Sequence, residues 1–273
     1  MLVRGVTFGE PTETRWEPIH DLLACLVGLR RPLELRVLKS TRNGITAEVL
    51  RTKPAPVTDP SAAGAGDFVP ESDPLMDVVA QKRELRRQVV AHILALSPEQ
   101  RSAQEADLVA RFDGLPGLAR ATTVLLYVTA FPEEIQTRPM LDRVLGRGQA
   151  LVCPRVDRRE RRLRLFAVGD LDTDLVAGTL GIPEPRKTLP EVDPRAIDWV
   201  LVPGLAFDPR GYRLGRGAGH YDKLLPALRP EVPCWAFCLD PQWVEELPVE
   251  PHDVPLDGVV SPSRTECRGG FVR

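Results

Sequence analysis

"DWVLVPGLAFDPRGYRLGRGAGHYDKLLPALR", residues 198–229, opens as an apolar run and turns at Pro203-Gly204. It then enters a loop with glycine at alternate positions, Gly215, Gly217 and Gly219, and leaves through the helix-like KLLPALR. Glycine admits positive φ and lets the backbone approach a ligand without a Cβ in the way. Successive amides can then converge on an anion, and the start of the following helix adds its positive end. Arg213 and Arg216 bring guanidinium forks to the same loop, suited to phosphate oxygens. The spacing G-x-G-x-G is neither the Walker pattern nor G-x-G-x-x-G, so the loop's chemistry points to phosphate without naming its owner. Asp222 closes the motif, either as a hard oxygen ligand for Mg²⁺ or as a carboxylate favoured by the helix dipole.

Working outward, "AIDWVLVP" (196–203), "TTVLLYV" (122–128), "ALVCP" (150–154), "PCWAFCL" (233–239) and "DGVVS" (257–261) are apolar runs of strand length. "RVDRRERRLRLFAV" (155–168) reads as a charged turn leading into an alternating strand. Between these lie helical patterns. Residues 77–96 place Val78, Leu85, Val89 and Ile93 at helical spacing, and 137–148 is a helix with glycine endings. Ser97, Pro98 and Gln100 form a capping-box start for a helix over 98–112. Strands alternating with helices predict an α/β fold with a mostly parallel sheet covered on both faces. Ligands in such sheets sit beyond the carboxyl ends of the strands, where loops 129–137, 203–219 and 240–255 are expected.

Upstream, residues 53–75 collect five prolines with alanine, glycine and acidic residues, the composition of a linker. Residues 1–52 are expected to form a small α+β unit, with a helix over 19–29 and a hairpin around Asn43-Gly44. Residues 76–273 then form the main domain. Met76 stands at its edge and is an expected alternative start.

The chain has 273 residues, 43% hydrophobic and 27% charged, with net charge −2. No positive field argues for a nucleic-acid partner, and no apolar run is long enough to cross a membrane. The five cysteines show no C-x-x-C spacing and the N-terminus no signal pattern, so a cytoplasmic protein with reduced thiols is expected. Cys234 and Cys238 share one strand face as core thiols. His20, His92, His220 and His252 have no zinc spacing, no G-x-S-x-G elbow is present, and the arginines of 155–164 read as a solvated hairpin turn. A monomer is the default expectation.

"LVPGLAFDPRGYRLGRGAGHYDKLL" (201–225) closely resembles the signature of 5-formyltetrahydrofolate cyclo-ligase, also called 5,10-methenyltetrahydrofolate synthetase. The resemblance runs from "QKRELRRQ" (81–88) to "PLDGVV" (255–260). It implies a three-layer α/β/α fold and an ATP- and Mg²⁺-dependent conversion of 5-formyltetrahydrofolate to 5,10-methenyltetrahydrofolate, with release of ADP and phosphate. "KRELR" would by itself be a solvated charge run. The resemblance makes Lys82, Arg83, Glu84, Leu85 and Arg86 an ATP-contacting element, with Lys82 and Arg86 on one helical face. It assigns Arg213, Leu214, Gly215, Arg216, Gly217, Ala218, Gly219, His220 and Tyr221 to ATP, and 216–220 also to the folate. Glu134 of "EEIQTRP" is implied on the pterin, Val128 beside it, and Asp222 and Asp253 at the metal. Ala218 replaces a common glycine and His220 a frequent tyrosine. Arg216 is the implied catalytic residue, stabilising the moving phosphoryl group. On the residues alone two other readings stay open: a different small-molecule phosphoryl-transfer or sugar-phosphate enzyme on a similar frame, and a non-catalytic nucleotide-binding module.

Overall fold

The computed structural model describes residues 34–41, 44–50, 74–178 and 182–268. The chain divides into two compact units, Met1–Glu71 and Ser72–Arg273. In the first, β1 (Glu34–Thr41) and β2 (Gly44–Leu50) pair antiparallel, with Thr41 opposite Gly44. The helix expected over 19–29 and most of the expected linker lie outside the described residues.

The second unit begins with α1 (Pro74–Leu94), so the last two residues of the expected linker already belong to a helix. Helix α2 (Pro98–Phe112) starts at its capping box: the Gln100 amide donates to Ser97 Oγ at 3.2 Å, and the Ser97 amide to Gln100 Oε1 at 3.0 Å. The sheet elements and third helix follow as β3 (Thr123–Leu125), α3 (Arg138–Gly146), β4 (Ala150–Asp157) and β5 (Arg162–Val168). Two short pairs follow from segments with no apolar run to announce them. They are β6 (Leu175–Ala177) with β7 (Pro183–Pro185), and, flanking the central strand β8 (Trp199–Leu201) on its C-terminal side, β9 (Ala206–Phe207) with β10 (Arg213–Leu214). Helix α4 (His220–Leu224), β11 (Cys234–Phe237), β12 (Gly258–Val260) and β13 (Thr265–Cys267) complete the unit.

Seven strands form one sheet in the order β13-β12-β11-β8-β3-β4-β5. The inner five are parallel, and β13 and β5 pair antiparallel at the edges. Alternation along each strand sends side chains to two separate cores. Val124, Leu151, Trp199, Leu201, Trp235 and Phe237 face one side, where α1, α2 and α3 supply Val89, Ile93, Phe112 and Met140. Leu125, Val152, Val200, Ala236 and Val259 face the other, covered by Leu224, Leu225 and Leu228. Each fully buried Leu, Val or Phe contributes about 1.5–3 kcal/mol, so both faces must be covered for the sheet to persist. Trp199 anchors the first core edge-on to Phe112, its indole N–H donating to the Pro116 carbonyl at 3.0 Å. Cys234 and Cys238 both pack in the second core, where burial pushes the Cys234 thiol up to about 12.

The helix expected across KLLPALR is a correction. Helix α4 has five residues and passes into a 3₁₀ turn at Leu225–Ala227, because Pro226 has no amide to continue the ladder. So short a helix adds little field to the glycine loop. Among the described residues no helix is long and apolar enough to cross a membrane.

Numbered along the chain, the five parallel strands lie in the order 2-1-3-4-5, and the winding reverses between β3 and β8. Connections on the two sides of that reversal leave in opposite directions and open a crevice beyond the carboxyl ends. The segments following β3 and β8 both enter it.

Candidate active site

A cavity of about 300 Å³ fills this crevice. Lys82 and Arg86 reach it from α1, and Tyr127, Val128, Phe131 and Glu134 from the segment after β3. Residues 213–222 form another wall, and Glu250, His252 and Asp253 close it. Pro154, Val156 and Leu163 of the β4–β5 pair add an apolar side.

The helical repeat decides what α1 contributes. Lys82, Arg86, Val89 and Ile93 fall on one stripe, so the two cations extend the buried face into the cavity. Arg83 and Glu84 project into solvent, where Glu84 pairs with Arg87, and Leu85 packs against the core. Of the five residues implied at ATP here, the structure brings two to the cavity.

The glycine loop is set by the β9–β10 pair. Its turn closes on the fully buried Asp208, which accepts the amides of Arg210 (3.0 Å) and Tyr212 (3.1 Å) and the Leu247 amide at 3.1 Å. Arg213 leaves this turn buried, Nη2 donating to Asp222 Oδ1 at 2.7 Å and Nη1 to the Val254 carbonyl at 3.1 Å. Gly217 and Gly219 carry φ of 100° and 66°, a region that favours glycine, so both are required by the backbone path. Arg86 ties α1 to the loop by donating from Nε to the Gly215 carbonyl at 2.8 Å. Burial lowers the Arg86 guanidinium below its ordinary value, against the raising influence of Glu250 and Asp253. His220 is half-buried, and burial lowers its imidazole.

Across the cavity, the segment 129–137 is folded back on itself. The amides of Thr129 and Thr137 donate to each other's hydroxyl oxygens at 3.1 and 2.9 Å, and Glu134 Oε2 accepts the Ala130 amide at 2.8 Å. Burial raises the Glu134 carboxyl, opposed by that amide and by Arg216. Arg216 reaches over from the glycine loop. Its guanidinium lies 3.4 Å from the centroid of the Phe131 ring, its Nη2 bonds Glu133, and its Nε is 3.6 Å from Glu134 Oε1.

The two implied metal carboxylates are each held by a cation. Asp222 pairs with Arg213, and Asp253 with Lys82 at 2.5 Å. Lys82 also pairs with Glu250 at 2.8 Å, so an ammonium already sits between two carboxylates. Donor atoms of Glu250, His252 and Asp253 lie within 4.8 Å of one another. Hard oxygens gathered at a cavity that holds four cations suit Mg²⁺ bound with a polyphosphate. Val128 is half-buried on the cavity wall, and Leu214 and Tyr221 line it from the loop.

Glu133, Phe131, Tyr127 and Glu250 belong to this constellation and had no signal of their own in the sequence. Glu133 stands beside Glu134 in "EEIQTRP" and Glu250 three residues before Asp253, so a carboxylate neighbour was the available clue.

Comparison with known proteins agrees with the geometry. The chain is 32% identical over 172 residues to a 5-formyltetrahydrofolate cyclo-ligase of Escherichia coli K12, covering 62% of this chain and 94% of the relative. The mitochondrial 5-formyltetrahydrofolate cyclo-ligase of Arabidopsis thaliana is 29% identical, covering 69% and 76%. Among solved structures, the 5,10-methenyltetrahydrofolate synthetase of Aquifex aeolicus superposes with a TM-score of 0.61 at 30% identity, over 70% of this chain and 95% of that one. The family model described as the 5-formyltetrahydrofolate cyclo-ligase family matches residues 78–262, and the chain belongs to that family.

Proposed function

We propose that the protein is an ATP-dependent 5-formyltetrahydrofolate cyclo-ligase, forming 5,10-methenyltetrahydrofolate with release of ADP and phosphate. The observation that carries this reading is the meeting, around one cavity, of four cations (Lys82, Arg86, Arg213 and Arg216) with the largely buried Glu134 opposite them. The cations suit a triphosphate, and a carboxylate suits the paired N–H donors of an aminopyrimidine edge.

The chemistry requires activation, because a formamide oxygen leaves poorly. The formyl oxygen attacks the γ-phosphorus of ATP and ADP departs, giving an O-phosphorylated iminium. N10 then attacks the formyl carbon and loses its proton, and phosphate leaves with the original formyl oxygen. An amidinium bridging N5 and N10 remains. Arg216 neutralises charge on the phosphoryl group in transfer, while Lys82, Arg86 and Arg213 hold the rest of the triphosphate. Glu134 fixes the pterin so that the formyl oxygen meets the γ-phosphate, and the apolar side at Val156 and Leu163 excludes water from the activated intermediate. Glu250 and Asp253, with Asp222, are the carboxylates that would hold Mg²⁺, which when bound supplies positive charge against the triphosphate.

The test is a coupled one on the purified chain with Mg²⁺. Growth of the methenyl chromophore together with stoichiometric ADP, dependent on both substrates, supports the reading. ATP binding without folate-dependent ADP formation would favour a nucleotide-binding module instead.

A further inference from the structure

We infer that Glu133 is a positioning residue for Arg216, holding its guanidinium over the Phe131 ring and aimed at the phosphoryl group; the inference rests on the cyclo-ligase reading. The Glu133 side chain is 7% exposed and forms no part of the cavity wall, so it reaches a ligand through its neighbour. Arg216 is bounded on three sides, by Glu133 at Nη2, by Glu134 toward Nε and by the Phe131 ring beneath. A free arginine would have to be ordered as the reaction proceeds, whereas this one is ordered in advance.

Glu133 is itself held by its backbone on both flanks. Arg101 of α2 donates to the carbonyls of Pro132 and Glu134, the residues before and after it. Glu105 accepts Arg101 Nε at 3.0 Å and the Gln136 amide at 3.3 Å, which fixes the strut. The chain of support therefore runs from a rigid helix to the loop, to Glu133, and to Arg216.

Coulomb's law sharpens the argument. A carboxylate beside a phosphate-binding arginine repels phosphate, so for affinity alone Glu133 is unfavourable. Orientation of Arg216 is the role that offsets this cost. The two roles predict opposite signs: without Glu133, nucleotide binding holds or tightens while turnover falls.

The experiment uses the full chain with Glu133→Gln, Glu133→Ala, Arg216→Ala and the double variant. Affinity for a non-hydrolysable ATP analogue with Mg²⁺ is measured by calorimetry, and kcat by methenyl formation. We expect nucleotide affinity to be unchanged or tighter in both Glu133 variants, and kcat to fall by about 10- to 100-fold in Glu133→Ala and less in Glu133→Gln. Adding Glu133→Ala to Arg216→Ala should change kcat by less than about twofold. Normal turnover, affinity lost in step with turnover, or losses that multiply in the double variant overturn the inference. A wild-type chain that forms no methenyl product overturns the cyclo-ligase reading instead. In that case the ¹⁵N Nε–H resonance of Arg216 decides positioning alone. One sharp signal in the wild type, averaged in Glu133→Ala, supports it, and an unchanged signal sinks it. Should Glu133→Ala fail to fold, Glu133→Gln carries the test: a lower kcat with nucleotide affinity held or tighter supports the inference, and normal turnover overturns it.

Discussion

Lys82 on the first helix of the catalytic unit and Asp253, 171 residues later, meet at 2.5 Å, the lysine buried and the carboxylate partly so. That contact bolts α1 across the cavity to the segment before β12, and it leaves a cation at the place where a triphosphate would lie. Replacing Lys82 by Ala leaves Glu250 and Asp253 facing one another without the ammonium between them. ATP-analogue affinity should fall by about 10- to 150-fold, the loss of one charge-assisted contact. Calorimetric titration checks this, and an unchanged affinity removes Lys82 from the phosphate site.

Arg216 tests the chemistry directly. Arg216→Ala should lower kcat by at least about tenfold while the thermal unfolding curve stays cooperative. Near-normal turnover in a folded variant would refute the role assigned to it.

The two carboxylates on the metal side should separate. Asp253→Asn is expected to raise the Mg²⁺ concentration needed for half-maximal rate. Asp222→Asn should do the same and also lower stability by about 3 kcal/mol, because Arg213 is buried and loses its carboxylate partner. A magnesium titration and a denaturant melt on each variant read the two effects. An unmoved titration in both would place the metal elsewhere.

Glu134 predicts a pH dependence. Burial raises its carboxyl in the fold above the ordinary carboxylate value, so the folded state disfavours the ionised form. The group's contribution is most favourable below the unfolded value and is lost as pH rises through the raised folded value. Glu134→Gln can still accept the Ala130 amide but carries no charge. Its melting temperature should therefore gain on the wild type at pH 8 and not at pH 4, while folate affinity weakens. A melting difference that stays constant between the two pH values contradicts this account.

Gly258 tests the sheet. A Cβ there would stand 2.2 Å from the Trp235 ring, inside a fully packed core. Gly258→Ala should cost about 1–3 kcal/mol by overpacking, lowering the melting temperature by about 2–4 °C for each kcal/mol. Calorimetry of the folded chain reads the shift, and an unaltered melting temperature would mean the ring moves freely.

The capping box at Ser97 and the apolar runs that became β8 and β11 were legible because local chemistry and burial agree there. A strand buried on both faces must be apolar throughout, and a helix start must satisfy its own amides. The short pairs β6–β7 and β9–β10 were not, since their pairing depends on residues distant in the chain. Helix α4 was overestimated because helical composition outweighed one proline that the ladder cannot pass.

Residue order alone determined that a strand leads into a glycine loop flanked by two arginines on an α/β sheet, since backbone freedom and charge are properties of the residues themselves. It also marked Lys82 and Arg86 as one helical pair. Which partner each cation would take was decided by tertiary structure. Lys82 found Glu250 and Asp253, Arg213 found Asp222, and Arg216 found Phe131 and Glu133. Ion pairs and ring contacts act over a few ångströms of space. Lys82 and Asp253 are 171 residues apart and Arg216 and Glu133 are 83 apart, so the fold has to bring them together, whereas Arg213 and Asp222, 9 apart, meet across the glycine loop itself.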